Sequence, residues 1–176
     1  MKKKDFSIAF SGLKLGKHKF DYQVTNAFFE EFGYHEFHSA DLFVAVQLNK
    51  MNTMLELELE AKGSVNLSCD VSDEPFDQPL NGQMKLVVKF GEEYNDEDDE
   101  ILIIPRGEFQ INIAQYVYEM LVLAVPAKRV HPKVLDGTLD SEIMERLEAL
   151  APKEQKEDKD ENDPRWDALK KLLTDK

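Results

Sequence analysis

The chain is poor in the residues on which chemistry most often depends. Among its 176 residues there is one cysteine, Cys69. A lone cysteine makes neither an internal disulfide nor a thiolate zinc cluster, and it agrees with a reducing compartment. Long apolar runs are missing too. The basic start Met1-Lys2-Lys3-Lys4-Asp5 is not followed by the hydrophobic stretch of a secretory signal. No segment reaches the ~18 apolar residues of a spanning helix, so a cytoplasmic protein without membrane contact is expected. Positive charge is also scarce. Lys and Arg number 22 against 35 Asp and Glu, a formal net charge of −13. Such a surface repels polyanions and accommodates a basic partner more readily.

Catalytic signatures are lacking in the same way. There is no G-x-S-x-G elbow and no G-x-G-x-x-G fingerprint. Gly12-Leu13-Lys14-Leu15-Gly16-Lys17-His18 is one residue short of a phosphate loop and lacks the Ser or Thr that would hold magnesium. His35 and His38 stand three apart but follow Gly33, where a helix should already have stopped, so they read as loop residues. Glu56, Glu58 and Glu60 alternate with leucines and read as a solvated sheet face. Cys69 falls on the apolar side of its strand with no basic neighbour in sequence to lower its pKa, and reads as a structural thiol. The chain is therefore expected to bind macromolecules and not to be an enzyme. No catalytic residue, metal ligand or cofactor is assigned.

Apolar patterning, by contrast, is plentiful. Phe6, Ile8 and Phe10 alternate, as do Phe20, Tyr22 and Val24, and both sets predict short strands. Thr25 is placed to cap a short helix carrying Phe28, Phe29 and Phe32, closed by Gly33. Four further sets alternate: Leu42 to Leu48, Leu55 to Ala61, Val65 to Val71, and Met84 to Phe90. With short connections at Asn49 to Thr53 and Lys62 to Ser64, they predict a four-stranded antiparallel meander with one buried face. Ile101 to Ile104 offers another strand. Asn112 reads as an N-cap for a helix with Ile113, Tyr116, Val117, Met120, Leu121 and Ala124 at helical spacing, stopped by Pro126, and this helix is expected to cover the sheet. The fold class is α+β.

The carboxyl-terminal part changes character. Asp140 or Ser141 reads as the cap of a short helix with Ile143, Leu147 and Leu150 on one side. Residues 1–151 are read as a single domain and 152–163 as a charged flexible linker. Residues 164–176 are read as an amphipathic helix that opens at Asp163-Pro164 and carries Trp166, Leu169 and Leu173. Between the sheet and the main helix, seven of the nine residues from Glu92 to Glu100 are acidic. That run lacks the central glycine of a calcium loop and reads as a solvated loop able to meet a basic partner.

The order of these pieces resembles the YceD family, the large ribosomal RNA subunit accumulation proteins. An early Asp21-Tyr22 lies in a short strand. The strand Val65-Asn66-Leu67-Ser68-Cys69-Asp70 is similar to the family's cysteine-bearing strand, followed by Pro75-Phe76. Glu119-Met120-Leu121-Val122-Leu123-Ala124-Val125-Pro126, with His131, resembles its acidic residue leading into Leu-Ala-Leu-Pro. Asp163-Pro164-Arg165-Trp166-Asp167-Ala168-Leu169-Lys170-Lys171-Leu172 resembles its terminal element. The departure is at Cys69-Asp70-Val71-Ser72, where many relatives carry C-x-x-C, so no metal role carries over.

The resemblance implies a part in large-subunit ribosome assembly, and a basic ribosomal protein or pre-ribosomal particle as the partner. Asp96, Glu97, Asp98, Asp99, Glu119, Arg165, Trp166 and Leu169 are the expected contact residues. The alternatives are an RNA-binding module, for which Lys14, Lys17, His18 and Lys19 are the one basic cluster near the start, or a nuclease acting on precursor RNA, which would need a metal–carboxylate site.

Overall fold

A computed structural model describes residues 3–98, 100–138, 145, 146, 149 and 150. The chain divides into two units, Met1–Leu139 and Asp140–Lys176, and the fold belongs to the first. Its main body is a five-stranded sheet in which the strands lie side by side in chain order. Strands β2 (Gly16–Thr25), β3 (Ser39–Lys50), β4 (Met54–Ser68) and β5 (Pro75–Gly91) run antiparallel, each beside the next. Strand β6 (Ile101–Pro105) joins β5 in parallel. A separate two-stranded sheet pairs β1 (Ser7–Ala9) with β7 (Gln110–Asn112).

The α+β class and the antiparallel meander are as expected, but the strands are cut differently. The expected break at Lys62 to Ser64 is absent, and β4 runs unbroken for 15 residues. Leu55, Leu57, Leu59, Ala61, Val65 and Leu67 share one parity, and all six are buried, so a single strand buries the first set and the start of the second, while Cys69 and Val71, expected on that strand, fall in the turn after it. The reason a break looked plausible is Gly63. It holds φ at +151°, and a Cβ there would sit 2.2 Å from the Asp41 carbonyl oxygen. Glycine lets β3 and β4 close up where any side chain would force them apart. The fourth meander strand is therefore β2, with Tyr22 and Val24 buried, and β5 begins well before Met84.

One face of the sheet is apolar and covered, and the other is wet. On the wet face Glu56, Glu58 and Glu60 point outward as predicted. Glu58 accepts from Gln47 at 3.2 Å and pairs with Lys85 at 3.2 Å, both near the surface. A one-residue slip would bury all three carboxylates, which fixes the register.

The covered face has two lids. Helix α2 (Ala114–Leu123) is shorter than the expected Ile113–Val125 span and buries Val117, Met120 and Leu121. Asn112 serves its start from one position further out than a formal cap. Its side-chain oxygen accepts from the Ala114 N–H at 2.9 Å, and its amide nitrogen donates to the Lys3 carbonyl at 2.8 Å. The second lid is aromatic. Helix α1 (Asn26–Glu30) follows Thr25, whose side chain makes no capping bond, and buries Phe28 and Phe29. Phe6 stacks on Tyr22 with ring centres 4.7 Å apart, Phe28 meets Phe6 at 4.7 Å, and Phe32 stacks on Tyr118 of α2 at 4.3 Å.

A four-residue helix α3 (Pro132–Leu135) closes the described part of this unit. Of the expected helix before the linker, Glu145, Arg146, Ala149 and Leu150 are described and are helical. The linker 152–163 and the helix 164–176 lie outside the described residues. Among the described residues, no helix is long and apolar enough to cross a membrane.

Candidate functional site

The acidic run is more structured than its composition suggests. Because β6 is parallel to β5, the chain must return the length of the strand between them, and Glu92 to Glu100 makes that return. On the way Asn95 forms an antiparallel bridge with Ile103, with backbone bonds of 3.0 and 2.8 Å. The Asn95 side chain accepts from the Glu97 N–H at 2.9 Å. Asp98 accepts from the N–H groups of Glu100 and Ile101 at 2.9 and 3.1 Å. Asp98 is thus occupied in shaping the turn, while Asp96 accepts from the Tyr94 hydroxyl at 3.2 Å. Glu97 is exposed. Asp99 lies outside the described residues, as do Arg165, Trp166 and Leu169.

This loop and α2 form one surface. Burial pushes the Tyr116 hydroxyl up to about 12, and repulsion from Tyr94 once ionised and from the Asp96 and Glu119 carboxylates adds to the shift. Two of the residues picked from the sequence, Asp96 and Glu119, therefore act on the same side chain. Glu119 accepts from Gln115 at 2.6 Å one turn earlier on α2. It also lines a groove of about 550 Å³ between α2 and β5, together with Gln83, Met84, Met120 and Leu123. Leu123 is 83% exposed and Tyr94 58%. The combination is acidic side chains interleaved with bare apolar ones, which suits a basic amphipathic segment.

A second arrangement gathers the turn after β4, which carries Cys69, and the residues beyond α2. The Cys69 sulfur accepts from the N–H groups of His131 at 3.2 Å and Val71 at 3.4 Å. Burial pushes this thiol up, yet the bonds from His131, Ser72 and Val71 outweigh burial and leave it below the ordinary value. The sequence reading found no basic neighbour to lower it, and the lowering indeed comes from N–H and hydroxyl donors. Asp73, at φ +58°, closes the turn by donating its N–H to the Cys69 carbonyl at 2.9 Å. Next door, Arg129 binds Asp70 through its backbone N–H at 2.7 Å and its side chain at 3.1 Å, and reaches Glu36 at 2.8 Å. The backbone bond from Arg129, followed by its positive charge, holds the Asp70 carboxyl below the usual aspartate range. The Arg129 guanidinium is raised in turn, chiefly by its bond to Glu36.

The two histidines noted from the sequence border this region from a loop, as expected, and His38 shares a 3.2 Å hydrogen bond with the Ser68 hydroxyl. Cys69 is only 3% exposed, so its sulfur is an acceptor inside a clasp and not a presented nucleophile. Among the described residues no group of three or more His, Cys, Asp or Glu side chains is placed to hold a metal ion. Lys17 and Lys19 alternate onto the wet face of β2, with Asp21 following them, and His18 bonds back to the Lys14 carbonyl at 2.8 Å.

Sequence reasoning missed Arg129, Asp70 and Glu36 as a unit, since 93 residues separate Arg129 from Glu36 and nothing local links them. It also missed the groove, which needs the position of α2 on β5. Gly82 was the available signal. A Cβ there would lie 3.1 Å from the Met120 side chain, so the helix approaches this strand closely because the position is glycine.

The family model for the large ribosomal RNA subunit accumulation protein YceD matches residues 57–173. No curated protein and no solved structure matches the chain. Three of the four pieces that suggested the family fall inside the matched stretch, and Asp21-Tyr22 precedes it. Two of those three meet in space, since Cys69 bonds to His131, and the His131 ring lies 5.4 Å from that of Phe76. The chain belongs to this family, whose description ties it to accumulation of large-subunit ribosomal RNA.

Proposed function

We propose that this YceD-family chain promotes assembly of the large ribosomal subunit by binding, without catalysis, a basic ribosomal protein or a pre-ribosomal particle in the cytoplasm. The observation that carries the reading is the groove between α2 and β5, where Glu119 lies among Met84, Met120 and the exposed Leu123, with the acidic loop near enough for the Asp96 charge to act on Tyr116 of the same helix. A chain with a net charge of −13 attracts a basic segment from a distance. The exposed apolar side chains then supply contact area that charge alone does not. Holding a basic protein in this way would keep it from premature contact with RNA.

The steering part of this attraction is screened by salt, over a Debye length of about 8 Å at physiological strength. Capture of large-subunit proteins from growing cells by the tagged chain should weaken as salt rises. The decisive measurement is the ratio of large- to small-subunit ribosomal RNA in a deletion strain. The ratio should fall without the protein and recover with the wild-type gene. It should recover incompletely with Asp96→Asn, Glu97→Gln, Asp98→Asn and Asp99→Asn combined. An unchanged ratio, in a background without a second family member, would rule out the assembly role.

A further inference from the structure

The groove beside α2 has a feature that charge and apolarity do not describe. Strand β6 pairs with β5 only from Val87 to Gly91. The Val87 N–H donates to the Glu100 carbonyl at 2.8 Å, and the Gly91 carbonyl accepts from the Arg106 N–H at 3.3 Å. Odd-numbered residues of β5 therefore turn their backbone groups toward the β6 side, and even-numbered ones toward β4. Earlier in the strand, Pro75 and Pro79 are odd. They sit where a missing N–H removes no bond to β4 and leaves nothing on the open side for another strand to use. Between Pro79 and Val87 lie three odd residues that keep their N–H groups: Asn81, Gln83 and Lys85. No described residue forms a backbone bond with them on that side. The result is a short open edge, guarded by proline below and continued by β6 above.

That open edge is also the floor of the groove. Asn81, Gln83 and Met84 line it from the strand, and Glu119, Met120 and Leu123 from the helix. Just beyond Met84 and Lys85, an adjoining hollow carries Glu58, Glu60 and Glu100. We propose that a basic extended segment of a partner protein docks here as an added strand, beside Asn81–Lys85 and in line with β6. Its backbone bonds to the odd residues of β5. One set of its side chains lies on Met120 and Leu123, and its lysines or arginines meet Glu119 at one wall and Glu60 and Glu100 at the other. The open length suits about five residues at ~3.3 Å each. The proposal rests on the reading that the partner is a basic protein, and it specifies how that protein is held.

The test uses the full chain and a labelled synthetic peptide of about eight residues that alternates lysine with valine. Amide exchange is followed by NMR with and without peptide. In the free protein Gly82 and Met84 should exchange slowly and Asn81, Gln83 and Lys85 quickly. Peptide should slow the three odd amides selectively. A peptide of the same sequence and charge, N-methylated at alternate residues, should bind at least tenfold more weakly. Gln83→Pro repeats in the open stretch what Pro79 already does, and should also cost about tenfold. Leu123→Asp adds a negative charge, so attraction by charge alone would tighten binding, whereas docking in the groove predicts weaker binding.

Equal binding of both peptides, or tighter binding to Leu123→Asp, would overturn strand addition and leave the basic-partner reading standing. Odd amides already slow in the free chain would overturn it too, because another part of the chain would then occupy the edge. Absence of peptide binding would overturn the groove as a site for basic strands. The subunit RNA ratio in the deletion strain judges the assembly role independently of all these results.

Discussion

The two layers of this protein are built on opposite plans. In the sheet, β2 to β5 each pair with their neighbour in sequence, and each contributes every second side chain to the core. In the aromatic lid, Phe6, Tyr22, Phe28, Phe32 and Tyr118 come from five different elements and connections. Sheet contacts close short loops and repeat one rule, so an error at one position is opposed by its neighbours. The lid joins residues separated by as much as Phe32 is from Tyr118, and nothing local enforces that contact. Register is therefore specified redundantly in the sheet and by individual shapes in the lid.

Breaking the sheet should have the largest effect. Leu57→Asp places an unpaired charge at a fully covered position in the central strand, and thermal scans by circular dichroism should show no cooperative transition. Next comes Phe28→Ala in the lid, with an expected cost of ~3–5 kcal/mol in urea unfolding. If the layers are one cooperative unit, sheet and aromatic signals will shift together in that variant. Separate midpoints would mean that the lid can open over an intact sheet.

Gly63→Val probes a place where β4 interrupts its own alternation. The added side chain meets the Asp41 carbonyl at a positive φ, and a loss of about 1–3 kcal/mol is expected, measured by the urea midpoint. Arg129→Gln should do less, and its effect should depend on pH. The Asp70 carboxyl is lowered in the folded protein, so its contribution is complete above the ordinary aspartate pKa and is lost as pH falls through the lowered value. In the variant the Asp70 titration, followed by NMR, should move up only part of the way, because the backbone N–H of residue 129, the larger cause of the lowering, remains. The smallest expected change is from neutralising Asp96 and Glu97. Both are exposed, and stability should move by no more than ~0.5 kcal/mol while partner association slows.

The difference between the layers also explains what could be read in advance. Alternation identified which residues of β3, β4 and β5 face inward, because period two is written in consecutive letters. It misplaced the break at Lys62 to Ser64, since a glycine that permits close approach looks the same in sequence as a glycine in a turn. The lid's phenylalanines were assigned to a strand and a helix, but their mutual stacking was not legible. Of the contact residues, Asp96 and Glu119 converge, and that convergence follows from the parallel placement of β6, which returns the acidic loop beside α2. Strand direction has no local signature in Ile101 to Ile104. The open edge of β5 became visible only once hydrogen-bond parity was known, although Pro75 and Pro79 had marked that parity in the sequence.

Cys69 gives the molecule a built-in clock. It is the chain's sole thiol, and its sulfur is covered where the turn after β4 meets the segment before α3. A water-soluble thiol reagent can react only during moments when those two segments part. When reclosing is faster than the reaction, the labelling rate reports the population of that opening. The unmodified chain can thus time its own breathing at the Cys69–His131 junction, with no engineered probe. Any ligand that holds the junction shut would register as a slower tick.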